Sequence, residues 1–343
     1  MLGLAKVAAT VGGVDFIHKE PRPPGPDEAL VEVRAAGLCG SDISIWKWPP
    51  HLAKRVPIPC ILGHEAGGRV VEIGSRVSRV KVGDNVSLES HVYCGTCYQC
   101  LTDRAHLCVV KTAPGVDFDG VFARYVTVPA AILWVNDADF PAELGALMEP
   151  FGIGVHASLE GSGVSGLTVA VSGCGPIGMM NVATARALGA VKVIAIEPLA
   201  IRRKAALEMG ADLAIDPTGE DVRAKVRDAT RGRGADVVIE YSGSVEGFRT
   251  CIDILTPGGD LRLCATPVYP IEYDFTIWKA KRPTIINIHG RRIWSTWVRA
   301  ADLLRERRVD LSPLLSHVMP LSEGMRAFEA VFAGEALKPI LIP

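Results

Sequence analysis

Four cysteines, Cys94, Cys97, Cys100 and Cys108, fall within the fifteen residues "CGTCYQCLTDRAHLC". The run has almost no apolar periodicity, so its thiols are not core residues of a helix or strand. Four thiolates at this spacing form the donor set of a closed tetrahedral zinc site, with a redox dithiol or an iron–sulfur centre as competing uses. A second set is dispersed: Cys39 in "GLCGSD", His64 and Glu65 in "LGHEAGG", and Glu149 in "LMEPFG". One thiolate, one imidazole and a carboxylate from Glu65 or Glu149 would hold Zn²⁺ and leave a position open for water or an alcohol. Zinc lowers the pKa of bound water to about 7, and a bound alcohol would be acidified similarly. Singly, each residue has a plainer reading: a buried thiol, a satisfied core histidine, a helix N-terminal carboxylate.

A third set completes the chemistry. Gly173-x-Gly175-x-x-Gly178 in "VSGCGPIG" lies between an apolar run and a helical segment, and Glu197 ends the next strand run nineteen residues after Gly178. Such glycines permit a tight turn and let backbone approach a pyrophosphate at a helix N-terminus. A carboxylate at Glu197 would hydrogen-bond ribose hydroxyls and repel a 2′-phosphate, which favours NAD, while Arg202 and Arg203 work against that selectivity. Hydride transfer also requires that the substrate oxygen be polarised, which joins this set to Cys39, His64 and the carboxylates.

The elements that position these sets change along the chain. Residues 1–150 hold short alternating runs: "ALVEVRA" sends Val31, Val33 and Ala35 to one side and Leu30, Glu32 and Arg34 to the other, and "GGRVVEIG" and "VKVGDNVSLE" are bounded by turn residues. This part is β-rich. Residues 151–290 alternate apolar strands ("LTVAVS", "VKVIAIE", "DLAID", "ADVVIEYSG", "DLRLCAT") with helices, one of which puts Ile177, Met180, Ala183 and Ala187 on a single face. That alternation implies an α/β, doubly wound parallel sheet with right-handed crossovers. Residues 291–343, with "WVRAADLLRER" and "KPILIP", are too short for a domain and are expected to return to the β-rich part. A formal charge of −1 without a Lys/Arg run argues against a nucleic-acid or anionic-membrane partner. No run reaches eighteen apolar residues and "MLGLAKVAATVGG" lacks an apolar signal core, so a cytoplasmic protein with nine reduced cysteines is expected.

The motifs "GLCGSD", "GHEAGGRVVEIG", "VGDNV", "CGTCYQCLTDRAHLC", "MEPFGIGVHA" and "GCGPIG" occur in the order found in the zinc-dependent medium-chain alcohol dehydrogenases, which the whole chain resembles. Within that family it is similar to the branch of L-threonine 3-dehydrogenases and polyol (sorbitol, butanediol) dehydrogenases; "IWKW", "SHVYCGTC", "GRRIWSTW" and "DLSPLLSHVMPL" lean toward the threonine enzymes. The resemblance implies a GroES-like catalytic domain interrupted by a Rossmann cofactor domain, two zinc ions per chain, NAD and a homotetramer or homodimer. It implies catalytic roles for Cys39, Ser41, His64, Glu65 and Glu149, cofactor contacts from Gly173, Gly175, Pro176, Ile177, Gly178, Glu197 and Arg202, and a structural zinc on the four clustered thiols.

The chain departs from the family pattern at three places. Ser44 stands where many relatives have a proton-relaying histidine, which leaves Ser44 with water, or His51, to extend the route from Ser41. His91 matches a histidine that lines the cleft in threonine enzymes, or is a loop histidine bonded to backbone. Ile153-Gly154 replaces Asn-Ala, which would reshape a pocket wall. The expected activity is therefore a zinc- and NAD(H)-dependent dehydrogenase of small polar secondary alcohols. A zinc-free quinone or enoyl reductase and a non-enzymatic zinc-module protein are the alternatives.

Overall fold

In the computed structural model, which describes residues 1–267 and 269–343, the chain opens with eight strands: β1 (Leu2–Lys6), β2 (Val14–His18), β3 (Glu28–Gly37), β4 (Cys60–Ile61), β5 (Glu65–Ile73), β6 (Asn85–Leu88), β7 (Tyr125–Pro129) and β8 (Leu133–Val135). The alternation of "ALVEVRA" is realised in β3, where Ala29, Val31, Val33 and Ala35 are buried and Arg34 is exposed. Period-two patterning therefore sets which face meets the core. Three short helices interrupt these strands: α1 (Gly40–Lys47), α2 (Pro50–Ala53) and α3 (Tyr98–Leu101).

The helix α4 (Ala142–Leu159) leads into six further strands, β9 (Thr168–Ser172), β10 (Lys192–Ile196), β11 (Leu213–Ile215), β12 (Ala235–Glu240), β13 (Leu255–Leu263) and β14 (Thr284–Asn287). They form one parallel sheet in the order β11-β10-β9-β12-β13-β14. The helices α5 (Pro176–Ala187), α6 (Ala200–Glu208), α7 (Val222–Ala229), α8 (Val245–Ile254) and α9 (Phe275–Lys281) separate the strands, and α10 (Ser295–Arg305) follows them. All five residues of the central strand β9 are buried, as expected for a parallel strand covered on both faces. The helix α5 is buried more widely than a single apolar face requires. Met179, Asn181, Val182 and Thr184 are buried alongside Met180 and Ala183, while Ile177 and Ala187 are only half-buried.

Two more strands, β15 (His317–Pro320) and β16 (Pro339–Ile342), flank α11 (Gly324–Phe332). The strand β16 joins β3, extending the mainly antiparallel sheet β15-β16-β3-β5-β6-β8, to which β7 adds on β3. The chain divides into one unit of residues 1–149 and 315–343 and another of residues 150–314. Residues 291–314, assigned to the returning segment on sequence grounds, group with the second unit, and Thr296, Trp297 and Ala300 of α10 are buried. Among the described residues no helix is long and apolar enough to cross a membrane.

Candidate active site and metal centres

The fifteen-residue thiol segment folds around its own sulfurs. Cys97 precedes α3, Cys100 lies on it, and Cys108 closes the short turn Ala105–Leu107. Sulfur separations are 3.5 Å for Cys97–Cys100 and 3.9 Å for both Cys94–Cys100 and Cys97–Cys108. A tetrahedron with Zn–S near 2.3 Å has sulfurs roughly 3.8 Å apart, so the spacing suits a four-coordinate zinc. Backbone N–H groups of Thr96 and Cys97 donate to the Cys94 sulfur at 3.5 and 3.3 Å. The Thr96 amide is the main reason the Cys94 thiol is drawn down to about 6, whereas burial and the Cys97 thiol push Cys100 up to about 12. The segment's large apolar side chains Tyr98, Leu101, Leu107, Val109 and Val110 are all exposed. A lobe with no apolar core of its own would depend on a bound metal for its fold.

The second cluster is buried and assembled from separated segments. Cys39 caps α1 just past the end of β3, and His64 immediately precedes β5, whose first residue is Glu65. Ligand atoms of Cys39, His64 and Glu65 lie within 4.8 Å of one another. Asp42, fully buried, accepts the Cys39 N–H at 2.8 Å and the Gly63 N–H at 3.2 Å, so one carboxylate ties both ligand-bearing segments. Gly63 has φ +86°, and a side chain there would run into Phe122, which fixes glycine beside His64. Lys338, immediately before β16 and 1% exposed, forms an ion pair with Glu65 and donates to Leu38 O at 2.9 Å. A Cβ on Gly37 would collide with this pair.

The electrostatics are those of a site that expects a cation. Burial alone would lower the His64 pKa, but the Cys39 thiol, Asp42 and Glu149 outweigh it and raise it to about 10. Burial pushes Glu65 up against the opposing pull of Lys338, and burial likewise pushes up Asp42 against the pull of His64. Glu65 Oε1 and His64 Nδ1 are buried without hydrogen-bond partners. Orphaned acceptors beside a thiol fit a bound Zn²⁺. Glu149 on α4 is 4% exposed and lies outside the 4.8 Å group, near enough to act on the charges of His64, Glu65 and Lys338.

Sequence reasoning missed Lys338 and Asp42. The one available signal for Lys338 was a lone cation inside the apolar run "ALKPILIP"; for Asp42 it was an acid three residues after Cys39, at the N3 position of a helix. Ser41 Oγ lies 3.3 Å from His64 Nε2. Ser44 donates back to Gly40 O at 3.1 Å, and His51 is exposed on α2. The His91 N–H donates to buried Glu89 at 2.9 Å, and its ring lies 3.5 Å from the same carboxylate.

The glycine turn joins β9 to α5. Gly173 has φ +85°, Gly175 caps α5 with open space where a Cβ would be, and Pro176 occupies the first helical turn. A Cβ on Gly178 would collide with Gly173 O, so this glycine closes the helix onto the strand. The open cradle at Gly175 fits a pyrophosphate. Glu197, 2% exposed, accepts the Cys174 N–H at 2.8 Å and the Leu199 N–H at 3.0 Å. Arg203 is committed to Glu197 O, Pro198 O and Asp216. Arg202 lies 4.0 Å from Glu197, and its buried Nε has no hydrogen-bond partner. Gly154 faces α5, since a Cβ there would stand 3.0 Å from Asn181 N, and the Asn181 amide donates to Gly154 O at 2.9 Å. Its small size allows this close helix packing.

Two family models cover most of the chain: the alcohol dehydrogenase GroES-like domain matches residues 25–137 and the zinc-binding dehydrogenase model residues 176–306. The L-threonine 3-dehydrogenase of Caldanaerobacter subterraneus subsp. tengcongensis is 40% identical over 335 residues, 96% of each chain. The chain belongs to the zinc-dependent medium-chain alcohol dehydrogenases. Solved structures similar to this family member include galactitol-1-phosphate dehydrogenase from Escherichia coli, with TM-score 0.91, 26% identity and 100% coverage of both chains. Another, a protein of Sinorhizobium meliloti 1021 bound to NADP, has TM-score 0.90 and 29% identity over 100% of both chains. Both family signatures, a buried thiol–imidazole–carboxylate cluster and a glycine cradle, are present in this member's geometry.

Proposed function

We propose that this chain is a zinc-dependent dehydrogenase that moves a hydride between NAD(H) and the secondary alcohol or ketone of a small polar substrate. The observation that carries it is the pairing, in one chain, of the buried Cys39, His64 and Glu65 group with an open Gly173–Gly178 cradle read out by Glu197. Zinc at the buried group would supply a Lewis acid for the substrate oxygen, and NAD a hydride acceptor. Cys39, His64 and Glu65 hold that ion, with Glu149 beside them. Lys338 and Asp42 keep the ligand segments in register. Ser41 presents a hydroxyl next to His64 that can accept a hydrogen bond from the substrate hydroxyl and release its own proton as it takes up the substrate's. With Ser44 bonded into its own helix, that proton continues through water. The four-thiol lobe takes a second, structural zinc.

The relatives are named as dehydrogenases of L-threonine and of galactitol 1-phosphate, molecules that carry hydroxyls beside further polar groups, which supports a small polar alcohol as the substrate class here. Residues 1–149 with 315–343 form the catalytic part of this reading, and 150–314 the cofactor part. Nine free cysteines suit a cytoplasmic protein. Self-association as a dimer or tetramer is supported by the edge strand β14, whose Ile285 is exposed, and by exposed Phe275 and Ile277 on α9. The deciding experiment is a panel of L-threonine, 2,3-butanediol, sugar alcohols and simple alcohols followed by NADH absorbance. Chelator-sensitive turnover of a polar secondary alcohol is expected. Metal-independent reduction of quinones or enoyl compounds would place the chain with the zinc-free reductases, and full zinc content without turnover on any substrate with the non-enzymatic zinc-module proteins.

A further inference from the structure

Connections of the parallel sheet reverse between β9 and β12, and ligands of such sheets bind outside the carboxyl ends of the strands at that reversal. One side of the crevice is the Gly173 turn. The other is the end of β12, "EYSGS", which neither the zinc chemistry nor the glycine cradle uses. Glu240 pairs in register with Ser172 and is 1% exposed. Its Oε1 accepts the Ser242 N–H at 2.7 Å, the Gly243 N–H at 3.1 Å and the Ser242 hydroxyl. Gly243 has φ +63°, which curls the two amides toward one point. Successive N–H groups in such a turn make an anion-binding concavity. Here the anion is the chain's own carboxylate.

The turn so held is wedged between two strand ends. A Cβ on Gly173 would stand 2.6 Å from Ser242 N and 2.8 Å from its Cα, so the first fingerprint glycine touches this turn directly. On the other flank a Cβ on Gly243 would stand 3.5 Å from both the Ala265 Cβ and Thr266 O. Backbone bonds complete the clamp: Tyr241 N–H donates to Ser172 O at 2.7 Å, and Glu240 O accepts from Cys264 N–H at 3.0 Å and Ala265 N–H at 3.2 Å.

We propose that Glu240 is a positioning residue for the pyrophosphate of the dinucleotide. It fills the concavity of the 240–243 turn and presses that turn against Gly173, leaving the amides around Gly175 to take the phosphates. A phosphate entering the second concavity would displace the nicotinamide end, and the buried carboxylate excludes it by occupancy and by charge. The proposal rests on the dinucleotide reading.

The test compares NADH, ADP-ribose and AMP binding by calorimetry in the unmodified chain, Glu240→Gln and Glu240→Ala, with melting temperatures recorded. Gln keeps an oxygen for Ser242 and Gly243. Ala leaves both amides unpaired and should weaken NADH and ADP-ribose about tenfold or more. AMP, which lacks the pyrophosphate and is read at Glu197, should change less than about threefold, and Gln should stay within about threefold for all three ligands. Should the alanine variant not fold, Glu240→Asp, whose carboxylate falls short of the turn, should show the same selective loss for NADH over AMP. An equal loss across the three ligands would reveal a merely structural role and overturn the proposal, as would unchanged NADH affinity or a Gln variant as weak as Ala. Failure of the unmodified chain to bind NADH would overturn the cofactor reading itself, before any variant is compared.

Discussion

Cys94, Cys97, Cys100 and Cys108 are drawn from one continuous loop, carry no apolar core, and stand partly in solvent. Cys39, His64 and Glu65 come from a helix cap, a loop and a strand, their segments are tied by Asp42, and Glu65 is ion-paired with Lys338 just before the last strand. The first cluster offers a set of metal donors in place of a core. The second sits inside a finished core, since a buried charge is tolerated only where its partners are already in position. On the proposed reading, zinc on the lobe would stabilise a fold, whereas at the buried site the fold would hold the zinc and leave a position free for chemistry.

The largest expected effect comes from breaking the buried cluster. Cys39→Ser should lower turnover by on the order of 10³-fold, about 4 kcal/mol of barrier, while NADH binding, measured by fluorescence, persists and about one zinc per chain remains on the lobe. Retained turnover would make the two clusters alike. Next is Lys338→Met, which strands buried Glu65 without its ion pair and should cost about 3–5 kcal/mol in denaturant unfolding. Lys338→Arg should restore part of that loss. A lobe ligand should matter less to stability and only indirectly to chemistry: Cys100→Ala should lose about one zinc and about 2 kcal/mol, seen as an earlier melt with near-normal turnover at low temperature. Full zinc content with an unaltered melt would show that the lobe is not a metal site. Smaller still, Glu197→Ser should narrow the NAD-over-NADP preference by about tenfold, or 1.4 kcal/mol, chiefly by improving use of NADP. An unmodified chain that already prefers NADP would mean the carboxylate, held by Cys174 and Leu199, does not read the ribose. The smallest change is Thr96→Val. It removes only the 3.6 Å hydroxyl contact to Cys94 on an exposed surface and should stay within about 0.5 kcal/mol.

What was legible in sequence follows the same division. The grouping of the four thiols and the glycine turn between a strand and a helix could be read because each involves neighbours in the chain, where spacing dictates geometry. The β-rich and α/β parts could be read because period-two and strand–helix alternation express burial directly, as β3 and β9 show. The close packing of Gly154 on Asn181 of another helix was not legible, because the two are brought together only by the fold. The extent of the returning segment could not be read because amphipathic α10 fits either unit on pattern alone; by its contacts the chain up to Leu314 groups with the second.

The sequence by itself determined which donors exist: four thiols in one loop, a thiol, an imidazole and two carboxylates at strand and helix boundaries, and a glycine turn followed by an acid. Only the tertiary structure decided how they are grouped. It placed Glu65 rather than Glu149 within reach of both Cys39 and His64, brought Lys338 across 300 residues to Leu38, tied up Arg203 but not Arg202, and set Glu240 against Gly173. The physical reason is that a lone charge or an unpaired amide cannot stay buried. Its partner is whichever group the packed core brings within a hydrogen bond's length, and spacing along the chain carries no record of that choice.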